Sequence, residues 1–375
     1  MQNNSVEKKV LIEGSLLITE SMARAGADSF IGYPITPANL LYLYGSRRMP
    51  LMLPAPDEIT TLQWMSGLAA TGRIPVTATS FPGFALMIES INMAFMMELP
   101  MVIVLVQRLG PATGTATCGS QGDISLLRGM ISGGHHLPVL CTSSFEDCWS
   151  LPAGAVSLAA ELRTPVVLLT SKEEVMTQKS FDMNLLEGIT PVRLKSYEGE
   201  ETYRPYMVKE GELSPPFLPV ANGKWQVRLN ASTHDTNGIL QHSNEEAMAN
   251  TRRLDAKARE KLKDYTYYQL DEQEGARTIV VSYGITALAA RDVVYSMREK
   301  GKKVSLLVVK TILPVPAVYA DIMANYHKVI VAEENINAQL VDLIYGVQRP
   351  ENVVPVGSIG KMITPGEILK EEDCL

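Results

Sequence analysis

Phe30-Ile31-Gly32-Tyr33-Pro34-Ile35-Thr36-Pro37, Thr79-Ser80-Phe81-Pro82-Gly83-Phe84 and Gln107-Arg108-Leu109-Gly110-Pro111-Ala112-Thr113-Gly114 share one feature. Each contains a loop that follows a run reading as a buried strand. Between the first two, Pro56-Asp57-Glu58-Ile59 opens a helical pattern, with Asp57 placed to cap it. In an open parallel sheet the loops at the carboxyl ends of the strands face one crevice, and ligands bind there. The spacing therefore predicts that an acid, a hydroxyl and a guanidinium converge: Glu58, Thr36 and Arg108.

Outward from this segment, strands and helices alternate. Strands are expected over 28–33, 50–54, 74–80, 100–107, 137–141 and 165–170. Helices are expected over 13–25, 57–72, 82–99, 124–131 and 145–162. Pro37 after Thr36 reads as proline in the first helical position behind an N-cap. Residues 101–106, Met-Val-Ile-Val-Leu-Val, form the kind of continuous apolar run that is buried on both faces of a sheet. The alternation predicts an α/β fold with a doubly wound parallel sheet over residues 1–180. Residues 181–275 read as a connector rich in Pro, Gly and polar groups with a few short strands. It closes on a charged surface helix over 245–265. A second, smaller α/β domain is expected over 276–375, where Thr364-Pro365-Gly366-Glu367 carries a capping box.

Composition narrows the function. Across 375 residues, 46% are hydrophobic and 20% charged, the balance of a globular protein. A net charge of −7 argues against a nucleic-acid partner. The polar N-terminus has no apolar core of a signal peptide, and no apolar run reaches the roughly 18 residues of a membrane span. A cytoplasmic location is expected. The 4 cysteines, Cys118, Cys141, Cys148 and Cys374, include no Cys-x-x-Cys pair, so neither an iron–sulfur cluster nor structural zinc is expected within the chain. No His/carboxylate cluster suggests a catalytic metal. Gly-x-Gly-x-x-Gly is absent after the early strands, and so is the Gly-x-x-x-x-Gly-Lys-Ser/Thr loop, which disfavours a nicotinamide enzyme and an ATPase. The 18 methionines, clustered partly at Met87, Met93, Met96 and Met97, read as adaptable core filler.

In order along the chain stand Tyr-Pro-Ile-Thr-Pro, Asp-Glu-Ile, Thr-Ser-x-Pro-Gly-Phe-x-Leu-Met-x-Glu, Glu-Leu-Pro-x-Val-Ile-Val and Gln-Arg-x-Gly-Pro-x-Thr-Gly. This series resembles the alpha subunit of the 2-oxoacid:ferredoxin oxidoreductases. Glu333-Glu334-Asn335 with Gln339-Leu340 resembles that family's transketolase-C-terminal-like domain. The resemblance implies a thiamine diphosphate enzyme whose pyrimidine-binding domain is residues 1–180. It implies a separate beta subunit holding the diphosphate, Mg2+ and an iron–sulfur cluster, with gamma and ferredoxin-like delta subunits as further partners. The reaction implied is oxidative decarboxylation of a 2-oxoacid to its acyl-coenzyme A, with electrons passing to ferredoxin. The chain itself has no Gly-Asp-Gly followed downstream by Asn, the family's diphosphate–magnesium signature, which agrees with that division.

Residue by residue, the resemblance gives Glu58 the hydrogen bond to the aminopyrimidine ring. A carboxyl there favours the imino tautomer, whose imine removes the thiazolium proton. The structural alternative is an acid that complements a helix dipole. Arg108 leaves a buried strand at the crevice, and its planar fork suits a 2-oxoacid carboxylate; the alternative is a structural ion pair. Thr36 is implied to contact substrate and cofactor, and can also cap a helix. Pro34, Ile35, Ser80, Phe81, Pro82 and Gly83 are expected to shape the cofactor wall. Phe81 departs from the family's Ser-Gly-Pro-Gly, and a phenylalanine tolerates positive φ poorly. His135 is placed at the edge of the crevice as a substrate contact; a capping or surface role is the alternative for it and for His136. The substrate stays open among 2-oxoglutarate, branched-chain, aromatic 2-oxoacids and pyruvate. The alternative functions are a subunit of a non-oxidative thiamine diphosphate decarboxylase or synthase, and a non-catalytic scaffold subunit.

Overall fold

The computed structural model describes residues 9–370; residues 1–8 and 371–375, Cys374 among them, lie outside the described residues. The first half runs β1 (Lys9–Glu13), α1 (Gly14–Ala25), β2 (Ser29–Gly32), α2 (Asn39–Arg48), β3 (Leu51–Pro54), α3 (Glu58–Ala70), β4 (Pro75–Thr79), α4 (Phe81–Met96), β5 (Met101–Gln107), α5 (Ile124–Gly129), β6 (Val139–Cys141), α6 (Asp147–Leu162), β7 (Pro165–Ser171), α7 (Lys172–Met176) and β8 (Gln178–Asp182). The second half runs α8 (Glu245–Glu260), β9 (Tyr268–Asp271), β10 (Thr278–Tyr283), α9 (Thr286–Glu299), β11 (Val304–Val309), β12 (Thr311–Leu313), α10 (Val318–Met323), β13 (Lys328–Glu333), α11 (Gln339–Tyr345), β14 (Val353–Gly357) and α12 (Pro365–Lys370).

The main sheet has the order β12-β6-β7-β5-β4-β2-β3, parallel except for β12. In β5, Ile103 and Leu105 face one core while Val102, Val104 and Val106 face the other, so the strand is apolar throughout because both faces are covered. The chain steps outward from β2 to β3, returns across β2 to β4, and then proceeds the opposite way to β5. The reversal makes a topological switch point outside the ends of β2 and β4, where open α/β sheets bind ligands. Residues 33–36 and 80–83 leave those two ends.

The second sheet has the order β14-β13-β10-β11-β9, with only β9 antiparallel. The two α/β domains are interlocked. β12 follows β11 but pairs antiparallel with β6, so the second half contributes the edge of the first sheet. β9 lies in the stretch read as connector, and β8 pairs with β1 apart from both large sheets.

Three expectations need correction. The few short strands expected of the connector reduce to β9 and the end of β8; between β8 and α8 the described residues make isolated bridges, Ser196 with Phe217 and His234 with Leu240, and side chains help to hold the backbone. Arg163 alone donates to the carbonyls of Glu98, Pro205, Pro215 and Pro216. Second, α8 is not simply a surface helix: Asn250, Leu254, Lys257 and Ala258 are buried. Lys257 donates to Glu98 at 2.9 Å and to the Arg163 carbonyl at 3.2 Å, and Arg253 reaches the same Glu98 carboxylate. Third, Pro37 does not open a helix. α2 begins at Asn39 behind Ala38, and the Thr36 hydroxyl accepts from the Asn39 side chain at 3.0 Å.

Candidate active site

Glu58 is the first residue of α3. Asp57 caps that helix by accepting the Thr60 amide at 2.7 Å, which fixes where the helix starts and hence where Glu58 stands. Glu58 is 6% exposed, yet no protein group among the described residues hydrogen-bonds its carboxylate. Its oxygens are not among the sealed, partnerless polar atoms, so the carboxylate opens on the crevice and can receive a ligand's donor.

Gly83 lies directly against this carboxylate. A Cβ on Gly83 would sit 2.5 Å from Glu58 Oε1 and 2.3 Å from Thr79 Oγ1. The expected loop 80–83 is in fact the opening of a helix. Ser80 is the N-cap of α4 and Phe81, Pro82 and Gly83 form its first turn. Phe81 therefore has helical backbone, and the positive φ that would have strained it does not arise. Pro82 stands where a helix tolerates proline, since its missing N–H has no intrahelical acceptor.

Arg108 follows β5 and is 7% exposed. Its Nη1 donates to the Thr36 carbonyl at 2.6 Å, and the Ser80 hydroxyl donates to the same carbonyl at 3.4 Å. The ends of β2, β4 and β5 are thereby tied at one point. Arg108 Nε is buried without a partner, as is Gln107 Oε1. Burial pulls the Arg108 pKa down and the charge of Asp123 opposes that shift. Asp123 is itself 5% exposed, and burial pushes its carboxyl up to about 7 against the pull of Arg108.

Thr36, Ser80 and Arg108 thus share hydrogen bonds, and Gly83, one turn from Ser80, meets Glu58. Pro34 is exposed at the mouth, and Ile35 packs on the core beneath it. Phe81 and Pro82 are half-buried. His135 does not join the group. Its ring packs on Phe95 at 5.6 Å and its Nδ1 lies 3.5 Å from Asp255. Phe95 is near the far end of α4, twelve residues from Gly83, or about 18 Å along the helix axis. Asp123, Thr79 and Gln121 belong to the surroundings of the site and were not singled out from sequence. Their roles depend on what the fold places beside them, and none carries a local motif.

Known proteins resemble this chain along nearly its whole length. Residues 20–253 match the family model for pyruvate flavodoxin/ferredoxin oxidoreductase, thiamine diphosphate-binding, and residues 276–368 match pyruvate:ferredoxin oxidoreductase core domain II. The 2-oxoglutarate synthase subunit KorA of Methanocaldococcus jannaschii is 29% identical, over 98% of this chain and 98% of that protein. The ketoisovalerate oxidoreductase subunit VorB of Methanothermobacter thermautotrophicus is 30% identical, over 82% of this chain and 80% of its own. A solved structure of 2-oxoglutarate:ferredoxin oxidoreductase from Magnetococcus marinus, with 2-oxoglutarate, coenzyme A and succinyl-CoA bound, superposes with a TM-score of 0.91 at 26% identity. It covers 98% of this chain, which in turn spans 65% of that one. The chain belongs to the pyruvate flavodoxin/ferredoxin oxidoreductase family and is an alpha subunit of the 2-oxoacid:ferredoxin oxidoreductase type.

Proposed function

We propose that this chain supplies the pyrimidine-binding half of a thiamine diphosphate site in which a 2-oxoacid is oxidatively decarboxylated to its acyl-coenzyme A, with ferredoxin as electron acceptor. The observation that carries the reading is the Glu58 carboxylate, which has no protein hydrogen-bond partner among the described residues and has Gly83 pressed against it. The missing Cβ of Gly83 leaves room for that carboxylate at the crevice, where a ring bearing a protonatable nitrogen and an amino group would meet it. When bound, thiamine diphosphate supplies a nucleophilic carbon that adds to the 2-oxoacid carbonyl and takes up the electron pair released with carbon dioxide.

The remaining work falls to the protein. Glu58 holds a proton at the ring nitrogen. Arg108 takes the substrate carboxylate in its planar fork. Its contact with the Thr36 carbonyl holds the guanidinium in place. Thr36, Ser80, Phe81, Pro82 and Ile35 form the wall, with Pro34 at its rim.

The site is half of a whole. A beta subunit is proposed to bring the diphosphate-binding groups, Mg2+ and an iron–sulfur cluster, with gamma and ferredoxin-like delta chains completing a cytoplasmic complex. The outer surfaces of α3 and α4 support a partner at this place. Ile59, Trp64, Leu86 and Met93 are exposed there, on the two helices whose first turns carry Glu58 and Gly83. Large apolar side chains left exposed on both helices suit a surface that a partner covers.

Glu58→Gln in the assembled complex tests the reading. Glutamine keeps the shape but cannot hold a carboxyl proton, so thiamine diphosphate should stay bound while exchange of its thiazolium C2 proton slows by about 10²–10⁴-fold. Exchange at the wild-type rate with the cofactor bound would leave Glu58 as a helix-dipole carboxylate and remove the reading's main support.

A further inference from the structure

Arg108 opens a segment that leaves β5, runs out to solvent and returns to α5. The loop closes just beyond Arg108. The Leu109 amide donates to the Cys118 carbonyl at 2.8 Å, and the Leu109 carbonyl accepts from the Thr115 amide at 2.9 Å. Residues 110–115 between these contacts are exposed. At its start the segment is held to the first sheet, where Arg108 Nη1 donates to the Thr36 carbonyl. At its end Ser120 and Gln121 fasten it to the second domain.

The Gln121 amide donates to the Glu334 carbonyl at 2.9 Å, and its side-chain Nε2 donates to the Tyr283 carbonyl at 2.8 Å. Its Oε1 accepts from the Glu334 amide at 2.7 Å and from the Thr286 hydroxyl at 2.9 Å. Its carbonyl accepts from the Tyr283 hydroxyl and the Asn335 side chain, both at 3.1 Å, and the Ser120 hydroxyl donates to the Glu334 carbonyl at 3.0 Å. Gln121 is wholly buried. Every polar group it has is thus bonded to the second domain, and a fully satisfied buried network is rigid. Gly284, at φ +57°, makes the room: a Cβ there would lie 2.5 Å from Gln121 Nε2. The partners follow β10 and β13. The chain steps from β10 to β11 on one side and reaches β13 on the other, so their carboxyl ends flank the switch point of the second sheet. Gln121 of the first domain fills the place where such a sheet takes a ligand.

We propose that Gln121 is a positioning residue through which the second domain holds Arg108 for the carboxylate of the 2-oxoacid. The proposal rests on the reading of Arg108 as the carboxylate-binding group. The path from Gln121 runs back through Ser120 and Gly119 to Cys118, across its hydrogen bond to Leu109, and into the next residue, Arg108. β5 sets where Arg108 leaves the sheet, and Gln121 sets the course of the chain beyond it. With Gln121 released, the loop keeps its internal hydrogen bonds but moves as a body, and Arg108 is held from one side only.

The test uses the assembled complex with whichever of 2-oxoglutarate, ketoisovalerate and pyruvate it turns over. The KM of the 2-oxoacid and of coenzyme A are measured for wild type, Gln121→Ala, Gly284→Ala, the double variant, Thr286→Val, Lys310→Met and Arg108→Ala. Gln121→Ala should raise the 2-oxoacid KM by about two- to thirtyfold, with coenzyme A unaffected. Gly284→Ala should do the same from the other domain, by displacing the Gln121 side chain. In the double variant that clash has no target, so its KM should not exceed that of the worse single variant. Lys310→Met removes another contact between the two halves, Lys310 to Asp147 at 2.6 Å, and should leave the KM as in wild type. If Gln121→Ala does not assemble, Thr286→Val, which deletes one hydrogen bond to Gln121 and keeps the shape, decides by the same selective rise. A 2-oxoacid KM unchanged in these variants, or raised as much by Lys310→Met, overturns the proposal; if Arg108→Ala still raises it selectively, the reading of Arg108 stands. An Arg108→Ala variant with an unchanged 2-oxoacid KM overturns both.

Discussion

Gly83→Ala adds one methyl group at the point where α4 meets Glu58. Gly83 has helical backbone, so alanine suits the conformation and even gains up to about 1 kcal/mol of helix propensity. The cost is steric. The new Cβ would lie 2.3 Å from Thr79 Oγ1, 2.5 Å from Glu58 Oε1 and 2.7 Å from Glu58 Cγ. These neighbours are side-chain atoms, so the backbone can stay and the side chains must yield. Overpacking of this kind costs about 1–3 kcal/mol, which the helix term partly offsets, and the variant should fold and assemble. To reach an ordinary contact of about 3.4 Å, Glu58 Oε1 must retreat by about 0.9 Å. A displacement near 1 Å in a reacting group costs on the order of 10²-fold in rate. The assay is exchange of the thiazolium C2 proton in the assembled complex, quenched with acid and read by NMR, with bound cofactor quantified in the same sample. Gly67→Ala is the control. It lies on α3 as Glu58 does, but nothing stands within 4 Å of its Cβ, so it should exchange as wild type does. Wild-type exchange in Gly83→Ala with full cofactor occupancy would refute the reasoning, because the Glu58 carboxyl would then work from a position that the added methyl group excludes.

Arg108→Ala removes a charge-assisted contact of about 1.5–3 kcal/mol, so the KM of the 2-oxoacid should rise by about tenfold to 150-fold. An equal rise in the KM of coenzyme A would mark the arginine as structural. Glu98→Gln should destabilise the fold by about 3–5 kcal/mol, since it strands Lys257 and Arg253 near a buried site that no longer carries the opposing charge; thermal unfolding reads it, and a wild-type Tm would show that the cluster is neutral to stability. The same carboxylate gives a pH signature. Burial alone would raise its pKa, but Lys257 and Arg253 outweigh burial and hold it well below the usual range. Its contribution is therefore present above the ordinary glutamate value and lost as pH falls through the lowered one. The acid limb of a Tm–pH curve should flatten in Glu98→Gln.

What was legible in the sequence, and what was not, follows from the range of the interactions involved. The run Met101–Val106 declares a strand covered on both faces because each residue is apolar, a local property. The strand-then-loop pattern at Thr36, Ser80 and Arg108 is also local, and the parallel sheet then carries those loops to one crevice. By contrast, β12 is three residues long and pairs with β6 some 170 positions earlier, and nothing in Thr311-Ile312-Leu313 specifies that partner. Lys257 reads as one more charge on a polar helix, because its counter-ion Glu98 is 159 residues away. His135, expected at the edge of the crevice, follows Gly133-Gly134, but its ring packs on Phe95, twelve residues along α4 from Gly83. Gln121 shows the limit most clearly. A glutamine between serine and glycine has the composition of a solvated loop. It becomes the fixed point of the segment only because β10 and β13 end where their carbonyls and amides can meet it, and Gly284 leaves the space. The chemistry-bearing residues announce themselves through type and neighbourhood in the chain. The residues that hold them in position, Gln121 among them, are specified by contacts between domains that no local stretch of sequence spells out.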